Sequence, residues 1–215
     1  MPLLRKTVIL PGSQIGIWRI TETAAELKDQ LSLDPEEETT YSSFGSENRR
    51  KQWLACRLLV KELLGKQTAI RYKESGKPSL EEVPGHLSLT HSGGMAAVLL
   101  SRDFLVGVDI ERMKDRIEKV KERFLSASEL EQVGTEHRVE KLHVLWGAKE
   151  CLYKIAGRPD TDFRIDLRVE PFDYLCNKKG ACRASLDFHG SIREVKVVYE
   201  TIEEYMLVCA FMQTL

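Results

Sequence analysis

Apolar positions follow two kinds of pattern along the chain, and each kind predicts one type of element. Apolar residues at helical spacing predict helices at about 21–31, 46–65 and 136–156. Gly65 and Gly157 are candidate stops for the two long helices, and Ser126 or Ser128 is a candidate cap for a further short helix. Short apolar runs bounded by turn residues predict strands at 7–10, 15–20, 68–72, 87–90, 95–101, 104–110, 163–169, 183–188, 193–199 and 205–211.

The two long helices divide the chain into halves of similar make-up, each with one long helix flanked by strands. This predicts a pseudo-duplicated α+β fold with halves 1–102 and 103–215, in which each long helix packs on a small, mainly antiparallel sheet. A single undivided α+β domain is the alternative that periodicity leaves open. The short links 92–94 and 102–103 predict hairpins, although Arg-Asp is not a typical hairpin-turn pair. Residues 34–45 are predicted only as a polar segment.

Composition and charge narrow the class of protein. Hydrophobic residues make up 42% of the 215 residues and charged residues 30%, which is ordinary for a globular protein and excludes a disordered or collagenous chain. With 32 basic against 33 acidic residues, no global field attracts nucleic acid or an anionic membrane. Apolar runs such as Met95–Leu100 are far shorter than the ~20 residues of a spanning helix. Five scattered cysteines and no signal-like start predict a cytoplasmic protein with reduced thiols.

Two segments carry carboxylates that are spaced for chemistry. Asp109 and Glu111 share one face of a predicted strand, and paired carboxylates suit a hard metal ion, although a solvated strand end is the simpler alternative. Trp146, Glu150 and Lys154 lie along one face of the last long helix. Their alternative interpretation is a surface ion pair beside a core tryptophan. Either segment alone leaves these alternatives open.

A third segment holds groups that can bind phosphate oxygens. Lys77 lies on a turn, and Thr90 and His91 end a predicted strand. A purely structural histidine is the alternative here. The chain contains no phosphate-binding G-x-x-x-x-G-K-[ST] loop, no G-x-G-x-x-G, no H-E-x-x-H and no G-x-S-x-G. These absences argue against a nucleotide triphosphatase, a dehydrogenase, a zinc protease and an α/β-hydrolase.

The order of these motifs is more informative than any one of them. Lys77-Pro78, then Thr90 to Gly93, then Gly107 to Glu111, and finally Trp146 to Lys154 resemble the motifs of 4′-phosphopantetheinyl transferases of the surfactin-synthetase-activator type. Phe124 to Glu129 is similar to a further segment of the same family. The resemblance covers about residues 34–157.

The resemblance implies a function and a set of site residues. Related enzymes move the 4′-phosphopantetheine arm of coenzyme A onto a serine of an apo acyl or peptidyl carrier protein, and hold coenzyme A in a cleft between two α+β halves. The resemblance implies that Asp109, Glu111 and Glu150 bind Mg²⁺ and that Lys154 binds phosphate. It also implies that Lys77, Thr90 and His91 contact coenzyme A. The general base is Glu150 or Glu129.

Some features depart from the family or leave choices open. Residues 34–46 contain no Lys or Arg. The basic residues that usually hold the 3′-phosphate are therefore expected just downstream, among Arg49, Arg50 and Lys51, and Arg50 is the one assigned. The charged run, residues 112–123, holds six basic and three acidic residues and is the expected docking surface for an acidic carrier protein. We expect a monomer with no nucleic-acid or membrane partner. A non-catalytic binding module and a metal-dependent phosphohydrolase remain the alternative functions.

Overall fold

The computed structural model describes residues 2–81, 83–176, 178–188 and 190–214, and it divides into two compact units. Unit 1 is Met1–Asp103 and unit 2 is Phe104–Leu215. The division lies one residue beyond the boundary between the halves 1–102 and 103–215. Each unit has a long helix and antiparallel strands, which confirms the α+β class.

Unit 1 is built on a four-stranded antiparallel sheet. Its strands and helices, in chain order, are β1 (Leu3–Leu10), β2 (Ser13–Arg19), α1 (Ala24–Lys28), α2 (Pro35–Ser43), α3 (Glu47–Leu64), β3 (Ile70–Tyr72), β4 (Pro78–Leu80), β5 (His86–Ser92) and β6 (Met95–Ser101). The sheet order is β1-β2-β6-β5, and β3 and β4 form a separate pair. Helix α3 begins at the Ser46 cap and ends at Gly65, whose φ of 70° is the left-handed conformation that favours glycine. The apolar face of α3 packs on this sheet.

Helix α2 lies where the sequence predicted only a polar segment. Asp34 caps its first turn and Pro35 is its first residue, a favourable start for a helix. Its buried residue is Glu37, which accepts a hydrogen bond of 2.8 Å from the buried Arg57 on α3. The Arg57 guanidinium also lies over the Trp53 ring, at 3.1 Å from its centroid. A buried ion pair with α3, rather than an apolar stripe, holds α2 in place. Hydrophobic periodicity therefore did not reveal the helix.

Unit 2 is built on a five-stranded antiparallel sheet. Its strands and helices are β7 (Phe104–Arg112), α4 (Ala127–Gln132), α5 (Arg138–Ala156), β8 (Leu167–Val169), β9 (Gly180–Phe188), β10 (Ser191–Ile202) and β11 (Tyr205–Gln213). The sheet order is β7-β11-β10-β9-β8. Ser126 caps α4, as predicted, and reciprocal bonds with Glu129 complete a capping box. The charged run ends β7 and continues as two 3₁₀ turns, Asp115–Lys119 and Lys121–Arg123.

The two predicted hairpins have opposite outcomes. The link at Gly93-Gly94 joins β5 to β6, with Ser92 opposite Met95, so that hairpin is confirmed. The hairpin predicted at 102–103 is wrong, because β6 pairs with β2 and β5 whereas β7 pairs with β11. Both edges of β6 are thus already used within unit 1. Arg-Asp also lacks the residues with positive φ that the tightest hairpin turns require.

Two sequence-based expectations concern the chain as a whole. Cys56, Cys151, Cys182 and Cys209 are buried free thiols, and Cys176 is exposed. Within the described ranges, no helix combines the length and the apolar character that crossing a bilayer would demand.

Candidate active site

Two glycines bring α5 close to the strand that carries the predicted metal ligands. A Cβ atom added at Gly107 on β7 would overlap the backbone carbonyl of Cys151 on α5. A Cβ atom at Gly147 on α5 would lie 2.6 Å from Cγ2 of Val208 on β11 and 3.6 Å from the Asp109 carboxylate. Because alternate residues of a strand share a face, Asp109 and Glu111 lie on the same side of β7 as Gly107. Asp109 therefore faces the helix that carries Glu150 and Lys154.

Asp109 and Lys154 form a direct contact across this narrow gap. Asp109 is only 6% exposed, and its Oδ1 atom lies 3.2 Å from Nζ of Lys154. Nζ of Lys154 also donates to the Val108 carbonyl at 2.8 Å. Burial opposes the charged form of Lys154, but the nearby charges of Asp109 and Glu150 outweigh it and raise the pKa of Lys154. Lys154 is therefore a fixed cation with one ammonium N–H left for a further acceptor.

Glu150 lies one helical turn before Lys154 and is only partly exposed. Burial and the charges of Asp109 and Glu111 raise its pKa, although Lys154 pulls in the other direction. Among the described residues, no group of three or more His, Cys, Asp or Glu side chains is placed so that it could hold a metal ion. Mg²⁺ nevertheless takes few protein ligands and completes its shell with water and substrate oxygens. A cation beside Asp109, Glu111 and Glu150 would offset the charge repulsion that adds to burial in raising the pKa of Glu150.

Glu129 and Lys149 form a second ion pair, which is fully buried. Nζ of Lys149 lies 2.7 Å from Oε2 of Glu129 and donates to the carbonyls of Phe163 at 2.6 Å and Leu167 at 2.8 Å. Burial lowers the pKa of Lys149, and the Glu129 carboxylate offsets part of that effect. The other Glu129 oxygen accepts the Val169 N–H at 3.0 Å. Glu129 thus joins α4, α5 and β8 and is only 3% exposed, whereas the sequence offered it as a candidate base.

Trp146, the first residue of the helical motif, packs against aromatic rings. It stacks on Phe163, with centroids 5.9 Å apart, and meets Phe124 edge-on at 5.0 Å. Trp146 is partly buried at the edge of the unit 2 core. Packing therefore accounts for its position in the motif.

The predicted coenzyme A contacts lie in unit 1, at the end of β5 and in the loop before β4. Nε2 of His91 lies 2.5 Å from a terminal nitrogen of Arg49, and because arginine stays protonated, this Nε2 is the acceptor. Thr90 beside it is buried. Burial lowers the pKa of Lys77, and the neighbouring charge of Lys73 lowers it further. A partly buried lysine of this kind gains from an anionic partner.

Arg49 and Arg50 occupy different surroundings, a distinction that the sequence did not make. Arg49 contacts His91 and lies over the Phe44 ring, at 5.5 Å from its centroid. Arg50, the residue that the sequence assigned to coenzyme A, lies over the Tyr41 ring at the same distance. Consecutive helical residues point about 100° apart, so Arg49 and Arg50 face different sides of α3, and Arg49 is the one that reaches His91 in β5.

The candidate site residues of unit 2 lie within a segment of the chain that matches a known family. The family model described as the 4′-phosphopantetheinyl transferase superfamily matches residues 105–209. These residues, 105 of the 215, are similar to that superfamily. The matched segment holds Asp109, Glu111, Glu129, Glu150 and Lys154. The unit 1 residues around His91 lie outside it.

Individual members of the superfamily align with longer parts of the chain. The 4′-phosphopantetheinyl transferase AcpT of Escherichia coli is 34% identical over 118 residues, which are 51% of this chain and 59% of AcpT. The 4′-phosphopantetheinyl transferase ffp of Bacillus subtilis is 30% identical over 143 residues, 64% of this chain and 61% of ffp. The chain thus spans about three fifths of these relatives. The 4′-phosphopantetheinyl transferase Sfp of Bacillus subtilis is 25% identical over 205 residues, 83% of this chain and 87% of Sfp.

The charged run begins at the last residue of β7, within the matched segment 105–209, and several of its basic side chains are exposed. Arg112 pairs with Glu204 at 2.9 Å, and Lys121 pairs with Glu118 at 3.3 Å. Ile117 is buried and anchors the first 3₁₀ turn. The remaining basic residues are exposed and have no ion-pair partner among the described residues; they are Lys114, Arg116, Lys119 and Arg123. The run therefore presents net positive charge to solvent.

Proposed function

We propose that this chain transfers the 4′-phosphopantetheine group of coenzyme A to a serine hydroxyl of an apo carrier protein. The observation that carries the proposal is the contact of buried Asp109 with Lys154, beside a Glu150 whose pKa is raised. A cation and several carboxylates on two rigid elements suit phosphoryl transfer, in which positioning and charge stabilisation do most of the work. The named activity of the relatives agrees with this chemistry.

We assign Mg²⁺ binding to Asp109, Glu111 and Glu150. Carboxylates are the protein ligands that Mg²⁺ prefers, and two of these three face α5 from one strand. When bound, Mg²⁺ supplies positive charge that offsets the charge developing on the pyrophosphate. The free ammonium N–H of Lys154 binds a phosphate oxygen of coenzyme A in the same region.

The transfer step needs a base, because a serine hydroxyl is a poor nucleophile at neutral pH. The serine oxygen forms a bond to the phosphorus that bears the pantetheine arm, while that phosphorus loses its bond to adenosine 3′,5′-bisphosphate. The leaving bisphosphate takes the electron pair, and the hydroxyl proton passes to Glu150. A carboxylate is a common general base for such a proton. Glu129 is committed to Lys149, Ser126 and Val169, and we assign it to positioning.

We assign coenzyme A recognition to basic and polar side chains of unit 1. His91 and Arg49 act as a pair on a phosphate group, with Arg49 taking the role that the sequence gave to Arg50. Thr90 lies beside this pair, and Lys77 contributes a second cation whose partly buried charge gains from an anion. Helix α3 and strand β5 are rigid elements, so these groups need little reorganisation on binding.

We assign docking of the carrier protein to the charged run. Its four exposed cations without ion pairs complement an acidic partner, and β7 leads into the run directly from Glu111. Such a patch acts chiefly on the association rate, because salt screens exposed charges over about 8 Å at physiological ionic strength.

We also propose that the two units arose by duplication and that the enzyme acts as a monomer. In unit 1, β2 is followed by α3 and the hairpin β5–β6, and β6 pairs with β2. In unit 2, β7 is followed by α5 and the hairpin β10–β11, and β11 pairs with β7. The same antiparallel strand–helix–hairpin path thus occurs twice in one chain. Light scattering on the purified protein tests the monomer.

The proposed reaction is tested by incubating the protein with coenzyme A and Mg²⁺, with and without an apo carrier protein. We expect adenosine 3′,5′-bisphosphate only with carrier present, together with the mass increase of the carrier, and neither when Mg²⁺ is chelated. Release without carrier would favour a phosphohydrolase instead. Coenzyme A binding with no product under any condition would favour a binding module.

A further inference from the structure

We propose that His143 is a positioning residue that holds the charged run in the conformation that the carrier protein recognises. The inference rests on the proposed function, since it concerns the docking step of that reaction. His143 lies in the first half of α5, two turns before Glu150. No role follows for it from its sequence context.

The hydrogen bonds of His143 define its protonation state. The side chain is buried, with 5% of its surface exposed. Its Nε2 atom lies 3.2 Å from the backbone nitrogen of Lys114, which is a donor, so Nε2 accepts. Nδ1 lies 2.8 Å from the Val139 carbonyl and therefore carries the proton. His143 is thus a neutral imidazole with both ring nitrogens bonded.

The surroundings of His143 keep it neutral. Burial lowers its pKa below the ordinary value, although the Val139 carbonyl and the charges of Glu111, Glu140 and Asp109 oppose that shift. A neutral ring is the form that accepts from a backbone N–H.

The bond to Lys114 fixes the point where the chain leaves the sheet. The N–H of Met113 still bonds the Glu204 carbonyl at 2.8 Å, and Lys114 is the next residue. The 3₁₀ turn Asp115–Lys119 follows immediately, with Ile117 buried beneath it. A second residue of α5, Arg138, donates to Glu118 of that turn at 2.7 Å. The first 3₁₀ turn is therefore held at both ends by the helix that carries Glu150 and Lys154.

This arrangement links docking to chemistry through one rigid element. Three of the exposed cations of the charged run, at positions 114, 116 and 119, lie on or next to the anchored turn. A surface loop that is ordered before binding costs less conformational entropy when a partner docks. Losing the imidazole acceptor frees the Lys114 backbone, so the cations lose their fixed spacing while α5 and its carboxylates stay in place.

The test compares two variants of His143. His143→Phe keeps a ring of similar size and removes the acceptor, whereas His143→Gln returns an acceptor oxygen near the position of Nε2. We expect the Phe variant to raise the KM for an apo carrier protein about five-fold, the effect of one neutral hydrogen bond. Its kcat at saturating carrier and its Kd for coenzyme A stay at wild-type values. The Gln variant returns KM toward wild type.

Amide exchange supplies a readout that does not depend on turnover. We expect the Lys114 amide to be protected in the wild type, to exchange faster in the Phe variant and to recover protection in the Gln variant. Should the Phe variant fail to fold, Arg138→Gln removes the second anchor from a more exposed position and is expected to raise carrier KM in the same way.

Each other outcome has a distinct meaning. A wild-type carrier KM in the folded Phe variant, or a Gln variant no better than Phe, overturns the role of His143 as an acceptor. A fall in kcat with unchanged carrier KM also overturns it, because the residue would then act on the chemistry. If the wild-type protein transfers nothing to any carrier, the proposed function fails and this inference fails with it.

Discussion

The two units fasten a short helix to a long one in the same way. In unit 1, Glu37 is the third residue of α2 and pairs with Arg57, which follows it by 20 positions on α3. In unit 2, Glu129 is the third residue of α4 and pairs with Lys149, again 20 positions later on α5. Each glutamate also accepts a backbone N–H from a short strand, from Ile70 in β3 or Val169 in β8. Both pairs are buried.

The residues next to these pairs differ in the way expected if unit 1 is scaffold and unit 2 carries the proposed chemistry. Leu58 follows Arg57 and is buried, whereas Glu150 follows Lys149 and carries a carboxyl group whose pKa is raised, chiefly by burial. Each unit also has a strand glycine that faces the long helix, Gly16 in β2 and Gly107 in β7. Two residues after these glycines stand buried Trp18 in unit 1 and Asp109 in unit 2. Both units thus share the ion pair, the long helix and the strand glycine. The neighbouring positions are apolar in unit 1 and carry carboxyl groups in unit 2.

The largest expected effect comes from breaking the shared ion pairs one at a time. Arg57→Met and Lys149→Met each leave a buried glutamate without its cation, which typically costs about 3–5 kcal/mol. We expect similar losses in the free energy of unfolding, measured by urea titration. Turnover per folded molecule, assayed at low denaturant, should fall only for Lys149→Met, because Lys149 also fixes the helix beside Glu150. If Arg57→Met impairs turnover equally, the separation of scaffold from chemistry is wrong.

The second test removes the carboxylate of Asp109 in unit 2, where the matching position of unit 1 holds Trp18. Asp109→Asn keeps the size of the side chain and an acceptor for Lys154, but it removes a proposed metal ligand. We expect turnover per folded molecule to fall about 100-fold or more, equal to about 2.7 kcal/mol. Some loss of stability is expected as well, because the change removes the charge that faces Lys154. Glu131→Gln on the exposed face of α4 is the matched control and should behave as wild type. Normal turnover of Asp109→Asn at limiting Mg²⁺ would remove Asp109 from the site.

The third test asks whether unit 1 contributes binding rather than chemistry. Arg49→Ala removes the cation that touches His91 and should weaken coenzyme A binding about 10- to 100-fold, because charge-assisted bonds contribute about 1.5–3 kcal/mol. Arg50→Ala serves as the control, since its guanidinium lies over Tyr41, and we expect a smaller change. Calorimetry with coenzyme A measures both. A larger effect at Arg50 would restore the assignment made from the sequence.

Local patterns predicted the elements that local physics determines. Apolar spacing identified α3 and α5, the Ser126 cap identified α4, and strand alternation put Asp109 and Glu111 on one face. The same patterns missed α2, because its buried residue is Glu37 and its partner lies 20 positions away. They could not reveal that Lys149 is buried, since a lysine in a helix usually points to solvent. Choices between neighbours, such as Arg49 and Arg50, depend on which face of α3 meets β5.

The last test concerns the two glycines that face the long helices. Gly107→Ala places a methyl group against the backbone of Cys151, which cannot move aside without shifting α5 away from Asp109. Gly16→Ala meets Cδ2 of Leu59 at 2.9 Å, the end of a side chain that can change rotamer. Overpacking of a core typically costs about 1–3 kcal/mol, and we expect Gly107→Ala at the upper end and Gly16→Ala at or below the lower end.

Activity separates the two glycine variants further. A shift of α5 changes the contact of Lys154 with Asp109, and misplacement of catalytic groups by about 1 Å can cost about 100-fold in rate. Turnover per folded molecule should therefore fall in Gly107→Ala and stay near wild type in Gly16→Ala. Urea unfolding and single-turnover transfer measure the two effects independently. If both variants lose stability and turnover alike, close approach of the helix is a requirement of both units and not of the carboxylate site.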